Sequence, residues 1–333
     1  MKNIIPVLIF AAILSTGVFF YLNRPPSGGR GTFFQVNYGE TVRATAERLE
    51  KNQIITSADF FVLMSYALRR KYIKAGKYEF HPGMTSVEIL KKLTRGDILT
   101  SRVTVPEGFN LYQIARRLEE SRICDEANFL FYAFDENFLA SIGIYASSAE
   151  GYLFPDTYVF PESSDPRDVI AVMHKKMSGE VELITGVRAI SRKKKHEILT
   201  LASLIEEEAK IPDERKLISS VFHNRMKKKM KLDCDPTVRY GVKNFERPIT
   251  VSELADDSPY NTYKYRGLPP TPISSPGRES IDAAINPAKS SYLFFVARND
   301  GSHYFSTTLR EHSRAVEFYQ RGRPNGFKDR QKR

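Results

Sequence analysis

The sequence has few cysteines and lacks several short motifs of common enzyme classes. Its two cysteines, Cys124 and Cys234, are too few for a disulfide framework; they could pair with each other or remain thiols. His196-Glu197 has no second histidine four residues on, so the HExxH zinc motif is absent. Ser203 lacks the flanking glycines of a nucleophile elbow, and no Gly-x-x-x-x-Gly-Lys phosphate loop occurs. We therefore expect no metal and no cofactor.

Acidic residues are in the minority. The 333 residues include 50 Lys and Arg against 39 Asp and Glu, a formal net charge of +11. A basic chain is suited to nucleic acid, to an anionic membrane surface or to an acidic polymer, and composition alone does not choose among them. Hydrophobic residues at 41% and charged residues at 27% are typical of a globular chain, and its length allows two or more domains.

The N-terminus narrows the choice of partner. An uncharged apolar run extends from Ile4 to Leu22. At about 1.5 Å per residue, this run nearly matches a hydrocarbon layer of about 30 Å. A cleaved signal peptide is the alternative, but the apolar run continues past Ser15-Thr16-Gly17, the only small-residue cluster that could be cut. We expect residues 1–22 to be a single-pass anchor in the cytoplasmic membrane with the main body outside the cytoplasm, which makes nucleic acid a poor partner.

Residues 23–31 are rich in Pro and Gly and are typical of a linker. A strand at Thr32 to Val36, a turn at Gly39, and two helices follow, the first with Val42, Ala46 and Leu49 on one face. This order resembles a LysM-type glycan-binding unit, although any small α+β domain could share it. We assign residues 32–100 to such a LysM-like region.

Residues 101–320 are expected to form a larger α+β domain. A strand and helix at 103–118 are followed by a helical, Phe-rich segment at 124–144, an aromatic strand near 150–160, and helices at 167–182 and 190–210. The polar, basic segment 321–333 is expected to be a disordered tail. The fold class predicted for the whole chain is α+β, with one N-terminal transmembrane helix.

One predicted helix carries three carboxylates at the end of an apolar run. Between Ile198 and Ala209, a projection at about 100° per residue places Glu206 inside the apolar stripe, whereas Glu207 points to the polar side with Ser203. Burial disfavours the charged form of a carboxyl group, so Glu206 is a candidate general acid. The alternative is that Glu206 meets a basic partner or reaches solvent at the helix end.

Several motifs then occur in a fixed order along the chain. They are Val105-Pro106-Glu107-Gly108, Glu150 to Tyr158, Ala202 to Glu208, Val221 to Arg225, Asp235 to Gly241, Tyr260 to Tyr263, Gly267 to Ile273 with Pro276-Gly277, and Tyr292 to Val296 running on to Ser306. Together, and over nearly the whole chain, they resemble the MltG (YceG-like) family of endolytic peptidoglycan transglycosylases.

The resemblance implies an enzyme that cleaves nascent glycan strands internally, between N-acetylmuramic acid and N-acetylglucosamine, and so terminates their elongation. The products would carry 1,6-anhydromuramic ends, and the partners would be peptidoglycan strands and cell-wall synthases. The family's catalytic glutamate is carried over to Glu206. One carboxyl group suffices in such a reaction, because the C6 hydroxyl of the substrate replaces the water that a hydrolase must activate with a second carboxylate.

Five further residues are candidates for holding the amides and hydroxyls of the sugars: Asp235, Thr237, Tyr240, Asn261 and Tyr263. A purely structural role is the alternative for each, because Asp-Pro-Thr is a good helix start and the Tyr-Asn-Thr-Tyr loop could order itself. Two other functions remain open for the whole chain. One is a non-catalytic glycan-binding or scaffold protein of cell-wall synthesis, and the other is a peptidoglycan hydrolase.

Overall fold

The computed structural model describes residues 4–26, 31–70, 72–187 and 190–322, together with residues 327, 329 and 331. Residues 27–30 of the predicted linker and most of the predicted tail lie outside the described residues. The chain forms two compact units. Unit 1 comprises Met1–Arg102, Ser121–Cys124 and Val159–Ser164, and unit 2 comprises Val103–Glu120, Asp125–Tyr158 and Asp165–Arg333.

Unit 1 alternates helices and strands. Its elements are α1 (Ile4–Asn23), β1 (Thr32–Val36), α2 (Val42–Lys51), α3 (Ala58–Ala67), β2 (Gly76–Phe80) and α4 (Ser86–Arg95). Strands β1 and β2 pair antiparallel, with Phe34 opposite Tyr78. Alternate residues of the two strands face the core, where they pack on Leu49, Phe61 and Leu90 from the three short helices. The predicted order of strand, two helices and strand is confirmed.

Local signals set the ends of the helices in unit 1. The Thr41 hydroxyl accepts the Ala44 N–H and begins α2. Thr85 and Glu88 form a capping box at the start of α4, and Gly96 ends that helix in the left-handed conformation at φ 78°. Threonine at a helix start and glycine just after a helix end are the residue types that favour these positions in any sequence.

Helix α1 is the apolar N-terminal run. Within the part of the chain that the structure describes, it is the one helix that is long and apolar enough to cross a membrane. A signal sequence would pass the same test of length and composition.

Unit 2 is mainly helical. Strands β3 (Thr100–Thr104) and β4 (Thr157–Pro161) pair with each other, and each runs from one unit into the other. The remaining elements are α5 (Leu111–Glu120), α6 (Glu126–Ala133), α7 (Glu136–Ser141), α8 (Pro166–Thr185), α9 (Arg192–Glu208), a 3-10 turn (Pro212–Glu214), α10 (Arg215–Lys227), α11 (Asp235–Gly241), α12 (Val251–Leu254), α13 (Arg278–Ile285), β5 (Phe294–Ala297), β6 (His303–Ser306) and α14 (Leu309–Tyr319). The chain therefore has a mixed fold of helices and small two-stranded sheets, which agrees with the predicted α+β class.

Helix α9 is the centre of unit 2, and α10, α11 and α13 pack against it. All eight residues from Ile198 to Ile205 are buried, including the polar Thr200 and Ser203. The projection placed Ser203 on the polar side of this helix, but the structure buries it completely. Its hydroxyl donates to the Thr200 carbonyl and accepts the Ile273 N–H, so the side chain can be buried with its hydrogen bonds made.

The C-terminal part of unit 2 is a hairpin with a covering helix. Strands β5 and β6 pair antiparallel, and α14 packs on both. Within the predicted tail, Asp329 pairs with Arg298 at 3.0 Å, and the Gln331 side chain makes two hydrogen bonds to the backbone of Phe305 in β6. These two tail residues are therefore held against the hairpin, contrary to the expected disorder.

Candidate active site

Three consecutive glutamates end the central helix of unit 2. Because successive residues of a helix are rotated by about 100°, Glu206, Glu207 and Glu208 point to three different surroundings. The side chain of Glu206 is only 7% exposed, as its place in the apolar stripe predicts. Glu207 is exposed and Glu208 is half-buried.

Glu206 is held by a cation and a backbone amide. Its Oε1 lies 3.4 Å from Arg215 Nη2, and its Oε2 accepts the Gly277 N–H at 2.9 Å. Both oxygens therefore act as acceptors. Arg215 also pairs with Glu279 at 2.8 Å and donates through Nε to the Ser280 hydroxyl at 3.1 Å. The basic partner that the sequence left open as an alternative is present in the structure.

Glu208 faces a cavity of about 460 Å³. This volume falls within the range of roughly 300–1,000 Å³ that is usual for ligand sites. The cavity is lined by Glu208, Arg225, Leu232, Asp233, Asp235, Tyr263, Phe294, Phe295, Val296, Ala297, His303, Leu309, His312, Val316 and Gln320. We call it the Glu208 cavity. It combines one carboxyl from the central helix with aromatic rings and polar groups from six other segments.

The surroundings of Glu208 shift the titration of its carboxyl towards neutral pH. Burial raises the pKa of this carboxyl to about 7, and the nearby charges of Asp235 and Glu207 act in the same direction. A hydrogen bond from the Cys234 thiol opposes the rise. Because Cys234 donates to Glu208 as a thiol, the alternative of a disulfide with Cys124 does not fit this arrangement.

A buried arginine fixes the wall of the Glu208 cavity. The Nε of Arg225 donates to the Leu293 carbonyl at 2.6 Å, and Nη1 donates to the Leu232 carbonyl and to Asp233 Oδ2, both at 2.9 Å. The guanidinium also lies 5.1 Å from the ring centroid of Phe294. Helix α10 thus ties the strand β5 to the loop before α11.

Two of the predicted sugar-binding residues lie in this cavity. The hydroxyl of Tyr263 donates to Asp235 Oδ1 at 2.5 Å. Burial, and then the contact with Asp235, raises the pKa of Tyr263, so the phenol keeps its proton. Asp235 is exposed, and its second oxygen, Oδ2, is available for a hydroxyl or amide of a sugar. Within the described residues, no cluster of His, Cys, Asp and Glu is arranged to hold a metal ion.

Comparison with known proteins identifies the family. A family model described as the YceG-like family matches residues 34–318. The chain belongs to this family. It is similar to the endolytic murein transglycosylase of Bacillus subtilis (strain 168), with 36% identity over an alignment of 325 positions, gaps included, that covers 91% of this chain and 90% of that protein.

Two further proteins are also similar to this chain. The endolytic murein transglycosylase of Streptococcus pneumoniae (strain R6) is 30% identical over an alignment of 356 positions, gaps included, that covers 94% of this chain but only 64% of the pneumococcal protein. The crystal structure of a YceG-like protein from Listeria monocytogenes superposes with a TM-score of 0.59 at 34% identity, covering 86% of this chain and 99% of that one.

Two predicted sugar-binding residues do not line the Glu208 cavity. Thr237 is fully buried, and its hydroxyl donates to the Cys234 carbonyl and bonds to the Thr262 hydroxyl. Asn261 is also fully buried, and its amide donates to the carbonyls of Leu254 and Asp256. Both side chains make their hydrogen bonds to other groups of the protein. This favours the purely structural role that the sequence left open for them.

Tyr240, the remaining candidate, belongs to a smaller neighbouring cavity of about 90 Å³, which Glu207 also lines. Its hydroxyl donates to Glu150 Oε2 at 2.9 Å, and the same oxygen accepts the Leu111 N–H at 3.1 Å. Burial raises the pKa of the Glu150 carboxyl to about 8. Glu207 is accessible to solvent, yet partial desolvation by the surrounding protein raises the pKa of its carboxyl to about 7. The nearby charge of Glu206 raises that pKa further.

Sequence reasoning missed Glu208 and Arg225 as site residues. The helical projection measures only which face of one helix is apolar, and Glu208 lies about 200° from Glu206. The groups that enclose Glu208 come from residues 225–235, 263 and 294–320, far along the chain. The one available signal was the third carboxylate in the run, which the projection left without a role.

Proposed function

We propose that this chain is a membrane-anchored lytic transglycosylase that cleaves peptidoglycan strands internally, between N-acetylmuramic acid and N-acetylglucosamine. The names of the relatives support this reaction class. The observation that carries the proposal is a protonatable carboxyl, Glu208, with a pKa of about 7 in a cavity large enough for sugar residues. Such a group can give a proton to a leaving oxygen at neutral pH.

Glu208 is the general acid in this proposal, and Glu206, to which the family resemblance carries that role, is the other candidate; the two variants described below decide between them. A general acid must reach the substrate and must have a proton to donate. Glu206 has both oxygens committed as acceptors, to Arg215 and to the Gly277 N–H, and it does not line the Glu208 cavity. Glu206 then serves to hold the end of α9 against α10 and the loop at Gly277.

The reaction needs only one such group. The Glu208 proton passes to the glycosidic oxygen as the bond to C1 of N-acetylmuramic acid breaks. The carboxylate then takes the proton of the C6 hydroxyl of that sugar, whose oxygen closes on C1 to form the 1,6-anhydro ring. Glu208 ends protonated, and no water is consumed. General acid–base assistance of this kind contributes roughly 10²–10⁴-fold to the rate.

The other cavity residues position the sugars. Asp235 and Tyr263 offer a carboxylate oxygen and a phenol to amides and hydroxyls. Phe294 and Phe295 give the cavity an aromatic wall. Asp235 also gives specific support to the hydrolase alternative, because a second carboxylate in the same cavity could activate water.

The rest of the chain supports a location of this reaction at the cell surface. Helix α1 anchors the protein in the cytoplasmic (inner) membrane, with the catalytic unit outside the cytoplasm. The β1-α2-α3-β2 order of unit 1 supports the LysM-like, glycan-binding assignment of residues 32–100. Enzymes that extend the same glycan strands are the partners expected from the family resemblance.

The test uses the full chain in detergent with purified uncrosslinked glycan strands. Glu208→Gln and Glu206→Gln make the same change two residues apart, so each is the matched control of the other. We expect Glu208→Gln to lose roughly 10²–10⁴-fold in rate. Glu206→Gln should keep turnover and lose stability. The opposite pattern would return the catalytic role to Glu206.

Mass spectrometry of the products separates the alternatives. A lytic transglycosylase yields anhydro ends, whereas a hydrolase yields reducing ends that are heavier by one water. Reducing ends that disappear in an Asp235→Asn variant would establish hydrolysis. Strands that remain intact with the unaltered chain, but bind to it, would support the non-catalytic scaffold.

A further inference from the structure

The end of helix α1 is packed against the folded part of unit 1. The rings of Phe19 and Phe60 meet edge to face with centroids 5.6 Å apart. The Asn23 side-chain oxygen accepts the N–H of Val87 in the first turn of α4 at 3.0 Å. A hydrogen bond and a ring contact at the same end of α1 fix its direction relative to α3 and α4.

The depth of this contact follows from the length of α1. The apolar segment Ile5–Asn23 has 19 residues. At about 1.5 Å per residue it is about as long as the hydrocarbon layer is thick, roughly 30 Å. Phe19 lies four residues before Asn23, which is about 6 Å along the helix. When α1 spans a bilayer, the Phe60 ring is therefore at the boundary between acyl chains and head groups.

Helix α3 presents apolar side chains next to this boundary. Among its ten residues only Asp59 is charged. Leu63 follows Phe60 by three positions and so lies on the same side of the helix, yet its side chain is 63% exposed, and Tyr66 is 62% exposed. Contiguous exposed apolar groups on one helix mark an interaction surface rather than a water-facing one.

Cationic and aromatic groups flank these apolar side chains. The guanidinium of Arg24 lies 4.2 Å from the ring centroid of Tyr21 at the end of α1, and Thr56 donates to the Arg24 carbonyl at 2.9 Å. Arg69 follows α3 and is exposed. Tyrosine and arginine at this level are typical of the membrane–water interface, where arginine is attracted to anionic head groups.

We propose that α3 is an interfacial helix, with Leu63 and Tyr66 in contact with the acyl chains of the bilayer that α1 spans. Arg24 and Arg69 contact its anionic head groups. The inference rests on the membrane anchor of the proposed function. Its consequence is that unit 1 is held on the membrane surface at a fixed height, instead of moving on a flexible tether.

The chain contains no tryptophan, so a single introduced tryptophan reports on its own surroundings. Single-tryptophan variants of the full chain are reconstituted into vesicles that contain anionic lipid, with or without bromine on the acyl chains. Leu63→Trp reports on α3. Phe20→Trp, in α1, is the positive control, and Val251→Trp, at a fully exposed site of unit 2, is the solvent control. We expect blue-shifted emission and strong quenching by brominated lipid for Phe20→Trp and Leu63→Trp only.

Two results would overturn the proposal in distinguishable ways. If Leu63→Trp behaves like Val251→Trp while Phe20→Trp is quenched, the anchor stands and α3 is not interfacial. If Phe20→Trp is not quenched either, the anchor fails as well. A second variant tests the head-group contact, since adding Arg69→Glu to Leu63→Trp should weaken the quenching of the tryptophan at position 63 by brominated lipid in anionic vesicles. Equal quenching with and without that change would exclude the contact.

Discussion

Replacing Arg215 with methionine separates the structural role of Glu206 from a catalytic one. Methionine keeps much of the arginine side-chain volume but removes its charge. Glu206 then loses the ion pair with Arg215 and keeps the hydrogen bond from the Gly277 N–H. If Glu206 stabilises the fold, this change should unfold the protein more easily. If the enzyme works through Glu208, the remaining folded protein should still turn over substrate.

The magnitude follows from the burial of the pair. The side chains of Arg215 and Glu206 are 12% and 7% exposed, so their contact is nearly shielded from water. Removing one partner of a buried ion pair costs roughly 3–5 kcal/mol, because the other charge stays buried. The pairs of Arg215 with Glu279 and Glu107 involve exposed carboxylates and add about 1 kcal/mol at most.

Glu206→Gln is expected to cost less than Arg215→Met. The glutamine carbonyl can still accept the Gly277 N–H, and Arg215 keeps Glu279. Combining the two substitutions should cost less than their sum by roughly 1–3 kcal/mol, since each removes the charge that the other leaves unpaired.

The assay is thermal unfolding of the full chain in detergent, followed by circular dichroism, with turnover of glycan strands measured below the transition. For a domain of this size, each kcal/mol lowers Tm by roughly 2–4 °C. Arg215→Met should therefore lower Tm by roughly 6–20 °C. A Tm within two degrees or so of the unaltered chain, together with loss of turnover in Glu206→Gln, would refute this account of the pair.

Three further predictions concern protonation. The rate of strand cleavage should be constant below pH 7 and fall about tenfold per pH unit above it, because Glu208 must start protonated and its pKa is about 7. Cys234→Ala removes a hydrogen bond that lowers that pKa, so the fall in rate should move to higher pH in the measured pH profile, whereas Cys124→Ala, in unit 1, should leave it in place. Glu150 has a pKa raised from 4.5 to about 8 in the folded state, so its contribution to stability is present below pH 4.5 and lost as the pH rises to 8. The contribution of Glu150 to the free energy of unfolding should fall by up to about 1.4 kcal/mol per pH unit over that window. Urea titrations measure it as the difference between the unaltered chain and Glu150→Gln, because Glu207 and Glu208 add slopes of the same sign.

Much of the local structure could be predicted from the sequence. The ends of helices at Thr41, Thr85 and Gly96, the length of the apolar anchor, and the burial of Glu206 are all decided within one or two helical turns. Hydrogen bonds to neighbouring amides and the spacing of apolar residues carry that information, so a single sequence is enough to find it.

The arrangement of the site depended on residues far apart in the chain. Ser203 is buried because Ile273, 70 positions later, supplies its hydrogen bond. Glu206 is paired because Arg215 of the next helix turns back towards it. Glu208 faces a cavity because Tyr263 and Phe294 close around the end of α9. The spacing of apolar residues along α9 sets which of its apolar side chains, and which carboxyl among them, leave water. Which carboxyl meets a cation and which faces a cavity depends on long-range packing, because local spacing does not distinguish partners of similar chemistry.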